Sequence, residues 1–139
     1  MAKGTPKQTI PFEITEDAAE FWAACERGDF LVQRCEKCGT WQFYPRYLCS
    51  TCGAREVVLR KASGRATLWS YSRVERATGE FADKVPYVVG LVRLKEGPVM
   101  MTNIVGCDPH GVTLDMPLEV RFEKRLGRAV PVFAPARSG

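Results

Sequence analysis

Four cysteines in two matched turns are the residues of this chain best suited to chemistry. They stand in Cys35-Glu36-Lys37-Cys38-Gly39 and Cys49-Ser50-Thr51-Cys52-Gly53, with ten residues between Cys38 and Cys49. Two intervening residues let both sulfurs of a turn meet one ion, and a following glycine accepts φ > 0, so that backbone amides curl towards the sulfurs. Cys35, Cys38, Cys49 and Cys52 therefore make a tetrahedral four-thiolate set with no position left for water or substrate. Such a closed site is structural and not catalytic. The short gap between the pairs suits a compact ribbon with two short strands. Zinc is the preferred ion, although an iron centre uses the same ligands and residue type does not separate the two. Two disulfides are the other reading, and they belong to an oxidising compartment.

Other chemistry is thin. Cys107 and His110 have the types of a nucleophile and a base, but one turn's spacing is weak support and a turn histidine is the commoner case. A Gly-rich phosphate loop is absent, and acidic residues are scattered without a recognisable pair. The residues describe a metal-stapled binding module with no catalytic residue assigned.

The bulk properties agree. An apolar fraction of 45% with 26% charged residues is that of a globular protein, and no apolar run reaches the length of a membrane span. The first residues lack the hydrophobic core of a secretion signal, which with metal-type cysteine spacing places the protein in the cytoplasm. A net charge of +4 tolerates an anionic ligand but falls short of a dedicated nucleic-acid binder.

The elements that must position the cysteines follow in order. Residues 1–14, with Pro6 and Pro11, read as an extended arm. Residues 15–56 hold a helix and the ribbon. Thr15 is the expected N-cap, Ala18, Phe21, Trp22 and Cys25 an apolar stripe, and Gly28 the stop. A helix this short must bury Phe21 and Trp22, either on its own ribbon or on a partner subunit. Phe30–Arg34 reads as a strand into the first knuckle. Between the knuckles, Trp41 and Phe43 suit structural cover, whereas Arg46 and Tyr47 suit cover and a nucleotide-bearing ligand about equally. Residues 57–139 read as all-β: a short strand at 57–59, then five principal strands near 66–74, 87–94, 99–105, 118–123 and 129–133. That pattern, with Gly90 inside the second, predicts a five-stranded Greek-key barrel of OB type.

These residues resemble a known family. Phe21-Trp22, Gly28-Asp29-Phe30, the two Cys-x-x-Cys-Gly turns, Phe43-x-Pro45-Arg46, Gly64, Pro86-Tyr87-Val88 and Cys107-Asp108-Pro109 resemble, in order, the rubredoxin-like zinc-ribbon plus OB-fold proteins associated with acyl-CoA metabolism. Ala66, where a second glycine is common, and Asp115, where a turn glycine is usual, are departures. The resemblance implies a subunit that is not catalytic alone. It would dock on a thiolase-like catalytic partner, as a heterotetramer, and help form the channel for a CoA ester in thiolysis, acyl transfer or retro-aldol chemistry. On that reading Arg46, Tyr47, Trp69, Tyr71 and Tyr87 contact the CoA ester, and Phe21 and Trp22 meet the partner.

Two other functions use the same residues. An OB barrel can bind single-stranded nucleic acid through aromatics and basic loops, here Trp69, Tyr71, Arg73, Arg76, Lys84, Lys124, Arg125 and Arg128. A four-thiolate iron site would make the chain an electron carrier.

Overall fold

Residues 14–79, 82–125 and 127–136 are described by the computed structural model, so the arm expected over 1–14 lies outside them save its last residue. The chain turns helical directly after Thr15. A 3-10 turn, Glu16–Ala18, runs into α1, Ala19–Glu26. Thr15 has the extended backbone of a cap (φ −77°, ψ 162°), but its hydroxyl donates to Asp17 Oδ1 at 2.6 Å and leaves the helix amides alone. At the other end the N–H of Gly28 reaches Cys25 O (3.0 Å) and that of Asp29 reaches Ala24 O (2.9 Å), the paired bonds of a Schellman closure. Ala18, Phe21, Ala24 and Cys25 form the buried stripe, with Trp22 half-buried beside it.

Three antiparallel strands build the ribbon in the order β2-β1-β3: β1 Leu31–Cys35, β2 Trp41–Gln42 and β3 Val57–Lys61. The expectation that residue 57 opens the barrel is corrected here. β3 pairs with β1 along its whole length, from Leu31 opposite Lys61 to Cys35 opposite Val57. The two-residue β2 covers only one edge of β1, and β3 covers the other.

The barrel comprises β4 Arg65–Val74, β5 Tyr87–Leu94, β6 Val99–Ile104, β7 Pro117–Arg125 and β8 Arg128–Pro135. It closes in the order β4-β5-β6-β8-β7, with β6 and β8 parallel and the other neighbours antiparallel, the expected five-stranded OB arrangement. Leu68, Val92, Leu94, Leu118 and Phe133 fill it. Gly90 lies where the walls come closest: a Cβ there would stand 3.0 Å from Leu68 Cδ1 and 3.1 Å from Ile104.

The helix joins the two parts. Phe21, Cys25, Phe30 and Val32 share one continuous core with the barrel residues. Phe30 packs edge-on against Phe133 of β8, ring centres 6.0 Å apart, and Glu26 Oε2 accepts from the Ala129 amide at 2.8 Å. Of the two readings for α1, packing on its own chain is what the fold uses.

The two departures from the family pattern are accommodated. Ala66 is buried opposite Leu94 and Leu118, where its methyl group adds to the core. Asp115 keeps a left-handed backbone (φ 67°) without being glycine, and its N–H bonds Leu68 O at 2.7 Å. Because that conformation strains any residue with a Cβ, Asp115→Gly should raise stability by about 0.5–1 kcal/mol. A urea titration showing a higher midpoint with unchanged slope checks this, and a lower midpoint would show that the aspartate side chain contributes more than its backbone costs.

Candidate functional site

The two knuckles are built alike. In the first, Gly39 N–H bonds Cys35 O (2.8 Å) and Cys38 N–H points at Cys35 Sγ (3.4 Å). In the second, Gly53 N–H bonds Cys49 O (2.9 Å) and Cys52 N–H points at Cys49 Sγ (3.4 Å), joined by Thr51 N–H at 3.3 Å. Both glycines have the positive φ that this curl requires, +80° and +77°. β1 delivers Cys35 into the buried end of the site, and Cys49 is buried from the other side.

All four sulfurs lie within 4.8 Å of one another, with Cys35 and Cys52 3.7 Å apart and Cys38 and Cys49 3.6 Å apart. Tetrahedral bonds of about 2.3 Å have edges of about 3.8 Å, so the donor set fits one zinc ion with no open position. The amides tune the ligands. Cys38 is pulled down to about 6, chiefly by the Thr40 hydroxyl 3.2 Å away and then by the Thr40 amide. Cys49 is lowered by the Cys52 amide first. At Cys52 the Ala54 amide pulls downward, but burial and three neighbouring thiols outweigh it and push the group up to about 11. A bound cation would resolve that conflict by favouring every thiolate at once.

Two glutamines that the sequence reading did not single out hold the second knuckle in place. Gln33 and Gln42 are buried side by side on β1 and β2. Gln42 Nε2 donates to Gln33 Oε1 (2.6 Å) and to Leu48 O (3.1 Å), while its Oε1 accepts from Ser50 N–H (2.8 Å). Gln33 clamps Arg46 from both sides, accepting its N–H (2.9 Å) and donating to its carbonyl (2.8 Å). Paired glutamines on adjacent strands were the available signal. Gln42→Leu would orphan Leu48 O and Ser50 N–H beside the ligands, a loss of about 2–3 kcal/mol. Faster hydrogen exchange over residues 46–50 and a lower urea midpoint are the expected readouts.

The expected interface pair divides. Phe21 is fully buried, edge-on to Trp22, Phe43 and Tyr44 at 5.0, 5.4 and 5.9 Å, which corrects its assignment to a partner contact. Trp22 is half-buried and donates from Nε1 to the Tyr44 hydroxyl at 2.6 Å. Trp41 and Phe43 pack on the core, the cover expected of them.

The five residues expected on a CoA ester are not gathered in one place. Arg46 and Tyr47 line a cleft of about 480 Å³ with Arg55, Val58 and three carboxylates, Glu16, Asp17 and Glu20. The Tyr47 hydroxyl, 62% exposed as a residue, bonds Glu16 at 3.2 Å. Tyr87 lines a separate recess of about 320 Å³ with Met101, Asn103 and Val132. Trp69 and Tyr71 are exposed on β4, yet they do not share a face. The register slips between Leu68 and Ser70, so Trp69 stands outward under the Arg93 guanidinium, 5.2 Å from its ring centre. Tyr71 pairs with Gly90, whose missing Cβ would point at core atoms, and so lies on the inward side near the barrel end. Of the residues named for the nucleic-acid reading, Trp69 and Tyr71 therefore lie on opposite faces of β4.

Cys107 and His110 are not brought into a dyad. The ring nitrogens of His110 face Asp108 (3.7 Å) and Glu75 (3.9 Å), and burial pushes the Cys107 thiol up. Among the described residues no helix is long and apolar enough to cross a membrane.

Comparison with known proteins adds the family. Residues 22–58 match the ChsH2 rubredoxin-like zinc ribbon domain, and residues 59–123 match the ChsH2 C-terminal OB-fold domain. A DUF35 domain-containing scaffold protein of Methanothermobacter thermautotrophicus is 34% identical over 112 residues, 80% of this chain and 84% of the relative. A probable enoyl-CoA hydratase alpha subunit of Thermomonospora curvata is 33% identical over 88% of this chain, which spans 39% of that longer protein. Among solved structures, a chain of the Ltp2-ChsH2(DUF35) aldolase matches with TM-score 0.81 and 30% identity, covering 90% of this chain and 98% of its own. A three-stranded ribbon, a closed barrel and these two adjoining matches make this chain a member of the DUF35 family of the ChsH2 type, a zinc ribbon followed by an OB fold.

Proposed function

We propose that this chain is a non-catalytic scaffold subunit that docks on a thiolase-like or aldolase catalytic partner and helps form the channel for its acyl-CoA substrate. The carrying observation is the near-complete match to a chain of a two-protein aldolase, Ltp2-ChsH2(DUF35). The relative named as a probable enoyl-CoA hydratase alpha subunit, whose name specifies a CoA ester, supports the ligand class. Cys35, Cys38, Cys49 and Cys52 hold one structural zinc in this reading. The ribbon extends through Lys61 and the barrel follows it.

The partner contact moves from Phe21 and Trp22 to the exposed edge of the ribbon, where Tyr47, Leu48 and Val58 are 62%, 46% and 38% exposed. The cleft beside them carries Arg46 and Arg55 against three carboxylates, which suits a mixed-charge protein loop better than phosphates. Co-expression of the untagged chain with a candidate thiolase-like or aldolase partner from the same organism tests the reading. A complex that turns over CoA esters, when neither chain alone does, is the expected result. A chain that stays solitary, or that processes an acyl thioester unaided, would overturn it.

A further inference from the structure

The outer face of the barrel gathers three cations, Arg65, Arg93 and Lys95, that form no ion pair within 4.0 Å among the described residues. Buried Ala66 pairs with buried Leu94, so the residues flanking them, Arg65 and Thr67 on β4 and Arg93 and Lys95 beside them, point outward together. The Lys95 amide bonds Arg65 O at 2.9 Å, which sets these two cations directly opposite each other, while Thr67 stands opposite Arg93. Like charges in that relation destabilise a sheet. All four line one groove of about 390 Å³, closed on its third side by Pro117 and Leu118 of β7.

Six arginines elsewhere in the chain are ion-paired, although Arg46, Arg55 and Arg76 are not among them. Arg27, Arg34, Arg60, Arg73, Arg121 and Arg125 each have a carboxylate within 4.0 Å, whereas among the described residues Arg65, Arg93 and Lys95 have none. Two acids stand nearby: Glu119, opposite Arg65 in the β7 register, lies 3.9 Å from Arg121, and Glu96 accepts from Ser63 N–H on Oε2 while its buried Oε1 has no hydrogen-bond partner. Arg93 is also held in place, its guanidinium resting over the Trp69 ring.

We propose that this groove binds a diphosphate group, with one phosphate between Arg65 and Lys95 and the other on Arg93 and the Thr67 hydroxyl. Guanidinium forks match phosphate oxygens two at a time, and an anion converts the cross-strand repulsion into attraction. The diphosphate is the chemistry shared by free pyrophosphate, nucleotides and CoA esters. The inference stands independently of the partner reading above.

Titration of the full zinc-loaded chain with inorganic pyrophosphate, followed by amide NMR, tests it. Saturable shifts confined to residues 64–69 and 92–96, weakening steeply with salt, are expected. Arg93→Gln and Lys95→Gln should each weaken binding by about tenfold or more, with Arg60→Gln unchanged. Lys95→Gln should also melt at a higher temperature without ligand, since it removes the like-charge pair, so lost binding there is not lost folding. ADP or CoA binding more tightly at the same residues would identify a nucleotide-bearing source, and equal affinity a free anion; both support the site. Absent shifts, shifts spread equally over Arg34 and Arg60, or displacement of pyrophosphate by a tighter-binding oligothymidylate would overturn it. Should the groove fail while the reconstituted pair still turns over CoA esters, the proposed function survives and this inference does not. Groove binding without partner capture would give the reverse.

Discussion

Cys35→Ser will empty the metal site and unfold the ribbon. Cys35 is the ligand with no solvent exposure, placed by the last residue of β1 and packed 3.7 Å from Cys52. A serine hydroxyl there is a poor zinc ligand, and three thiolates left in the cluster would repel one another without the ion. The ribbon has little else to hold it. Its strands are of five, two and five residues, below the size at which a sheet stands alone. In small zinc modules the bound ion supplies about 10–16 kcal/mol at neutral pH, which is folding free energy, so losing it removes more than the remaining contacts restore. Zinc per chain should fall from one to near none by atomic emission, and proteolysis should open the segment between Leu31 and Lys61. Cys107→Ser, which changes a half-buried thiol away from the cluster, should keep full metal content. A red chain purified in place of a colourless one would point to iron. Stoichiometric zinc and an unchanged melting temperature in Cys35→Ser would remove the structural role altogether.

The readable parts of this fold are those fixed by local chemistry. The knuckles are legible because Cys-x-x-Cys-Gly constrains sulfur position and backbone sign together, and both glycines have the expected positive φ. The five barrel strands are legible because turn residues bound each alternating run, and their ends agree to within two residues. What failed depends on pairing at long range. Val57–Lys61 looks like any short strand, and nothing local says that it pairs back onto β1 and not forward into the barrel. Trp69 and Tyr71, two residues apart, should share a face, and only the register of β5 against β4 reveals the extra residue that separates them. Phe21 carries no mark that tells an internal contact from an external one; its place was settled by Phe43, Tyr44 and the barrel's own core. The cation groove has the same character, since Arg65 and Lys95 are thirty residues apart and meet only because the strands do.

Gly64→Val should be the most damaging single change in the barrel. Gly64 sits between ribbon and barrel with φ +79°, a conformation that costs a residue with a side chain about 1–2 kcal/mol. β-branching makes valine one of the poorer choices there. The space is also taken: a Cβ at this position would lie 2.8 Å from Val120 Cγ1, below any normal contact. Val120 cannot simply retreat, because its amide bonds Gly64 O at 2.8 Å and β7 is pinned on both sides, to β4 and to β8. Forcing methyl groups into such a seam adds about 1–3 kcal/mol of overpacking. The two costs together come to about 2–5 kcal/mol, a large share of the stability of an ordinary domain. Val120→Ala isolates the steric part: placed on Gly64→Val it should recover stability that it loses when made alone, because the room it opens is the room the new side chain needs. If the double variant is no more stable than Gly64→Val, the backbone conformation alone accounts for the loss, and the seam between β4 and β7 is looser than a 2.8 Å approach implies.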